Sequence, residues 1–218
     1  MTNDWSEMNK TMQVQLKKEA TFDDGIKTLL ELRKSVMEVL YQLKEELTLE
    51  DFKAIPFINA KGYHNKTIAY SIWHIFRIED IVTHSLIKGE DQIFFTGNYQ
   101  ERIGASIITT GNELVKQQIA DFSDTLDIEE LYHYAAAVKD STDAMLKKLS
   151  YSDLKRKMTE ESKLLLKALH VVSDNENACW LIDYWCKKDI KGLIQMPFSR
   201  HWIMHTAASL RIKNKLYK

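Results

Sequence analysis

Three histidines carry the strongest chemical signal in the sequence. His201 and His205 stand four residues apart in Arg200-His-Trp-Ile-Met-His205. In a helix, both imidazoles then face the same side, one turn apart. That spacing lets one helix offer two nitrogens to one ion. His74 lies at the centre of the apolar stretch Ser71-Ile-Trp-His74-Ile-Phe-Arg77, and facing helices of a bundle are a natural place for a shared site. Neutral imidazole favours Zn, Ni, Cu or Fe over Mg or Ca. Three neutral ligands leave an ion positively charged with an open position, where a bound water or thiol loses its proton near neutral pH. Each part alone is weak, because HxxxH pairs arise by chance and a lone buried imidazole is commonly a hydrogen-bonded core residue. Three outcomes follow: a catalytic centre, a non-catalytic metal staple whose loss costs stability, or three packing histidines without metal.

Neighbours of these residues are weighed by helical geometry. Arg77 is three residues from His74 and is a candidate to bind a substrate carboxylate, against a plain ion pair or snorkelling side chain. Tyr70, one turn before His74, is a candidate pocket-lining residue, against plain core. Glu79 lies about 140° round the helix from His74 and is not taken as a ligand. His64 and His84 are each ten residues from His74, roughly 80° off its face. Together with His133 and His170 they are read as surface or rim residues.

The elements that must position the three histidines are helices. Glycine and proline number only 7 and 2 in 218 residues, too few turn residues for a sheet-rich chain, and long apolar periodicities dominate. The expected fold class is all-α, in one domain over residues 1–218. Four long helices are expected near 23–47, 64–88, 127–149 and 197–217. Asn65 is the expected N-cap of the second and Gly89 its stop, and its centre, Ile68 to Val82, is apolar on more than one face, as in a deeply buried helix. Pro197 is expected to open the last helix. Shorter helices are expected near 112–120, 159–169 and 176–188, and residues 1–20 form an N-terminal extension. Four long helices with extra elements between the third and the last spell a four-helix bundle with a long crossover.

Bulk properties narrow the function classes. The net charge is −1, and only 6 of the 30 basic residues are arginine, so nothing points to nucleic acid. No stretch is long and apolar enough to span a bilayer. The first eight residues lack the basic and apolar segments of a signal peptide, so a cytoplasmic protein is expected. Cys179 and Cys186, seven apart on one expected helix and so about 10 Å apart, are too distant to bond to each other and are read as small buried apolar residues.

The residues that carry the chemistry also carry a resemblance. Thr67-Ile-Ala-Tyr-Ser-Ile-Trp-His74-Ile-Phe-Arg-Ile-Glu79-Asp80 resembles the second helix of the DinB/YfiT-like superfamily, and Arg200-His201-Trp-Ile-Met-His205 resembles the HxxxH of its final helix. The resemblance implies an up-down-down-up four-helix bundle holding Ni or Zn through His74, His201 and His205, and frequent homodimers. It implies a thiol S-transferase or isomerase using a low-molecular-weight thiol cosubstrate, or a metal-dependent hydrolase, acting on a small molecule. The chain departs from compact members by its N-terminal extension and by stretches near 89–126 and 151–195, which are placed to cover or reshape the pocket.

Overall fold

The computed structural model describes residues 2–218, with side chains from Asp4 onward. Met1 of the expected N-terminal extension lies outside the described residues. The chain is all-α: α1 Thr2–Gln15, α2 Phe22–Glu46, α3 Leu49–Lys53, α4 Ile68–Asp80, α5 Ile93–Thr96, α6 Tyr99–Ile103, α7 Gln117–Asp124, α8 Ile128–Leu146, α9 Glu160–Ala168, α10 Trp180–Cys186, α11 Ile190–Gln195 and α12 Arg200–Leu216. Among the described residues the nearest thing to a sheet is one isolated antiparallel bridge, Lys157 with Asp189. Among the described residues no helix is long and apolar enough to cross a membrane.

Helix α4 is the axis of the molecule. Every residue from Ile68 to Asp80 is buried, as its apolar circumference predicts. It packs against both α8 and α12, while α2 packs on α12 and carries α1 on its outer side. Each aliphatic or aromatic side chain removed from water here stabilises the fold by roughly 1.5–3 kcal/mol. The other long helices are amphipathic: α2 buries Leu29, Leu32, Val36, Leu40 and Leu43 on one stripe, and α8 buries Leu131, Ala135, Val138 and Leu146. Tyr132 of α8 ties these two helices together by donating to the Leu40 carbonyl at 2.6 Å.

The helix ends follow local chemistry. Asp127 caps α8 and Thr159 caps α9 through their side chains. Thr67, not Asn65, caps α4: its hydroxyl accepts from the Tyr70 N–H at 2.9 Å, whereas the Asn65 amide donates to the Ala60 carbonyl. After Asp80 the helix widens into a π-helical segment, Ile81–Lys88. Gly89 ends it in the left-handed conformation at φ 66°, where glycine carries no Cβ penalty. The last helix starts at Arg200, later than expected. Pro197 lies outside it, and Ser199 is held by donating its hydroxyl back to the Ile194 carbonyl at 2.9 Å. The connections between the long helices hold the short helices α3, α5 and α6. Cys179 is exposed at the start of α10 rather than buried, and both cysteines are free.

At the heart of the four long helices sits a charged network. Arg33 of α2 donates to both Glu79 carboxylate oxygens at 2.9 and 2.7 Å, to Asp143 at 2.6 Å and to the Phe198 carbonyl at 3.0 Å. Trp202 donates its indole N–H to Glu79 at 2.7 Å, and the Arg33 guanidinium lies 4.4 Å from the centroid of the Trp202 ring. One ion cluster thus joins α2, α4, α8 and the start of α12. It also fixes the rotation of α12 about its axis, which decides where His201 and His205 point.

Candidate metal centre

The three histidines named by spacing converge. The ring centroids of His74 and His201 are 5.0 Å apart, those of His74 and His205 4.9 Å, and those of His201 and His205 4.6 Å. One nitrogen from each ring lies within 4.8 Å of the others. All three side chains are buried, at 3–5% exposure. Helix α4 supplies His74 from its mid-length, and α12 supplies the other two from its first turns.

The electrostatics favour a ligand set. Burial pushes His74 down to about 4, despite its bond to the Thr110 carbonyl, with Lys66 adding repulsion. Burial first, and then the neighbouring imidazoles, push His201 and His205 well below the ordinary histidine range. All three rings are therefore neutral near pH 7, the form that binds a metal. His74 is oriented by a 2.6 Å bond from Nδ1 to the Thr110 carbonyl. The carbonyl only accepts, so Nδ1 carries the proton and Nε2 presents a lone pair. His201 and His205 each keep a buried Nδ1 with no hydrogen-bond partner. Three neutral imidazoles, one oriented and two incompletely satisfied, are positioned to hold a metal ion.

The cluster opens on a cavity of about 410 Å³. Tyr70 lines it as expected: its ring stacks on His74 at 5.4 Å and its hydroxyl donates to the Gly111 carbonyl at 2.8 Å. Gly111, at φ 75°, lets that strap of chain press against Tyr70 and Trp73, where a Cβ would sit 2.8 Å from the Trp73 ring. The far wall is aromatic, with Trp180, Tyr184 and Trp185 of α10. That wall comes from the stretch 151–195. Tyr63 stands at the rim with its ring edge-on to His205 at 4.9 Å.

Arg77 is corrected. It is fully buried and does not line this cavity. Its guanidinium donates twice to the Ile108 carbonyl, at 3.0 and 2.7 Å, and lies over the Phe94 ring. That bond depends on the path of the 104–111 strap, which helical spacing does not reveal. The cation that does line the cavity is Lys66, passed over in the sequence. Burial lowers its pKa from the usual lysine value. Its ammonium lies 5.3 Å from the centroid of the Tyr70 ring. Glu79, set aside as a ligand, is turned to Arg33 and Trp202. His133 and His170 are exposed and His64 is half-buried. His84 is the exception to the surface reading, at 3% exposure and bonded to the Asp80 backbone carbonyl and to Ser141.

No family model matches the sequence, and no curated protein matches it. A solved structure does resemble the fold. The crystal structure of a conserved protein from Enterococcus faecalis aligns over 86% of this chain and 94% of its own, at 13% identity and a TM-score of 0.61. At that identity the likeness concerns the fold alone.

Proposed function

We propose that the protein is a metal-dependent enzyme of the DinB/YfiT-like type. In this reading His74, His201 and His205 hold one divalent transition metal, Ni or Zn, and the reaction joins a thiol or water to a small electrophilic substrate. The observation that carries it is the meeting of three buried neutral imidazoles with a cavity large enough for a small molecule. When bound, the metal supplies Lewis acidity that favours the deprotonated form of a thiol or water.

The chain's own residues supply the rest. The Thr110 carbonyl keeps the His74 proton on Nδ1 and Nε2 free to coordinate. Lys66, in place of Arg77, meets an anionic group of the substrate. The aromatic wall of Trp180, Tyr184 and Trp185 holds an apolar or planar portion and excludes water. A metal staple without catalysis is the rival reading, and the adjoining cavity favours the enzyme.

The test is a reaction panel on metal-loaded protein. Conjugation of an electrophile to bacillithiol, mycothiol, glutathione or coenzyme A, lost in His205→Ala, supports thiol transfer. Failure with every thiol alongside metal-dependent ester or amide hydrolysis moves the assignment to hydrolase. Inactivity in both panels, with metal bound, leaves the staple.

A further inference from the structure

Ten residues beyond His74, about 15 Å along the helix, a second chemical arrangement occupies the other end of the same element. Oδ1 of Asp80 lies 2.7 Å from His84 Nδ1, and His84 Nε2 lies 2.8 Å from Ser141 Oγ. The protonation pattern follows from the partners. Nδ1 faces the Asp80 carboxylate and, at 3.2 Å, the Asp80 backbone carbonyl. Neither donates, so Nδ1 carries the proton. In the neutral ring Nε2 then holds a lone pair toward Ser141, whose hydroxyl donates to it. Asp80 is itself clamped: it accepts the N–H groups of Ile93 and Phe94 at 3.0 and 2.8 Å and the Tyr134 hydroxyl at 2.9 Å. The His84 N–H donates to the Asp80 backbone carbonyl, with the Asp80 carboxylate at ion-pair distance from the same nitrogen. An acid beside an imidazole that in turn faces a hydroxyl is the arrangement of roles in a serine-nucleophile triad, recognised by roles and not by fold or chain order.

Burial is graded in the sense such a relay needs. Asp80 and His84 are at 0% and 3% exposure. Ser141 is half-buried and lines an open cavity of about 510 Å³ that is separate from the one beside the three histidines. His84 belongs to the π-helical segment, a geometry found frequently at functional positions. The cavity carries three cations and two acids: Lys88 is paired with Glu90, and Asp153 lines it with Lys148 and Arg156, beside the apolar Met145 and Leu149, so cations exceed acids by one.

We infer that Ser141, His84 and Asp80 form a second catalytic centre, an esterase for small acyl groups that bear an additional anion. Ser141 Oγ adds to the ester carbonyl carbon while its proton passes to His84 Nε2. The carbon–oxygen bond to the leaving group breaks, and the alkoxide departs as the alcohol with that proton. Water then adds to the acyl carbon and gives a proton to Nε2. The bond from carbon to Oγ breaks, Oγ recovers the proton, and the carboxylic acid is released. Ester and water become acid and alcohol, with no change in oxidation state. Asp80 remains a carboxylate and stabilises the imidazolium formed in each half. Arg156 and Lys148 hold the second anion of the acyl group. No residue of the three-histidine cluster takes part.

The test uses the full chain stripped of metal by a chelator, so that hydrolysis at the three-histidine site is excluded. Substrates are p-nitrophenyl acetate and mono-p-nitrophenyl succinate. Expected are a burst of p-nitrophenol, an acyl group located on Ser141 by peptide mass spectrometry, and a kcat/KM at least about tenfold higher for the succinate. Ser141→Ala, which leaves the Asp80–His84 pair in place and whose folding circular dichroism checks, loses the burst and at least about a hundredfold in rate. Arg156→Gln raises KM for the succinate ester and spares the acetate. An unacylated Ser141, a rate unchanged in Ser141→Ala, or hydrolysis that appears only after metal is restored overturns the proposal.

Discussion

Helices α4 and α12 bury polar side chains in two neighbouring places, and the two are finished differently. Arg33 makes four hydrogen bonds to Glu79, Asp143 and Phe198, and Trp202 completes the Glu79 carboxylate. At the histidine cluster, His74 has its Thr110 partner, while His201 and His205 leave ring nitrogens unpaired. Buried polar groups are costly unless satisfied. The satisfied network is a structural joint that sets the packing of the four helices. The unsatisfied cluster is positioned to hold a metal ion. Adjacent residues divide the two tasks: Trp202 serves the joint, and His201 serves the cluster.

The largest expected effect breaks the joint. Glu79→Ala leaves the buried Arg33 with Asp143 as its remaining acid and Trp202 without its acceptor, and is expected to cost about 3–5 kcal/mol in urea unfolding. The double replacement Arg33→Met with Glu79→Leu removes the Arg33–Glu79 pair, leaves Asp143 with Lys139, and should recover part of that loss. If Glu79→Ala costs no more than a surface substitution, the network is not the joint described here.

The cluster should respond to acid. The folded-state pKa of His74 lies near 4, below the usual 6.5. The neutral ring therefore contributes stability fully above pH 6.5, and that contribution is lost as pH falls from 6.5 toward 4. For His74 alone the loss is on the order of 3 kcal/mol, with His201 and His205 acting in the same direction. Urea titrations of metal-free protein at pH 7 and pH 4.5 check this. Stability that is flat across the window contradicts neutral buried rings.

The smallest effect sharpens the boundary between the two regions. Tyr70→Phe removes one hydroxyl bond to the Gly111 carbonyl and should cost about 1 kcal/mol. The ring that stacks on His74 is kept, so metal affinity should change little. A large loss of affinity would show that the 104–111 strap, through Thr110, holds the cluster more tightly than His74's own helix does.

Much of this was legible because it is local. The continuous apolar surface of Ile68–Val82 announces a central helix, Gly89 its stop, and Asp127 the start of α8. The i, i+4 pair on α12 and a histidine on a buried helix were enough to place the cluster, because both helices are long and can meet only along their apolar faces. What escaped depends on distant partners. Arg77 looked available until the Ile108 carbonyl arrived from a loop 31 residues away. His84 looked like a rim residue because Ser141 comes from another helix, 57 residues on. Lys66 precedes its helix by two positions and carries no periodic signal. Thr67 takes the cap in place of Asn65 because its hydroxyl is the one that reaches the Tyr70 N–H.

The most direct test of the central claim is elemental analysis of untagged protein purified without chelator or a nickel column. About one equivalent of a divalent transition metal per chain is expected for the unmodified protein. Near-complete loss is expected in His74→Ala and in His205→Ala, with folding verified by circular dichroism. Absence of metal from the unmodified protein even after incubation with Ni and Zn, or undiminished binding in both variants, would contradict the account.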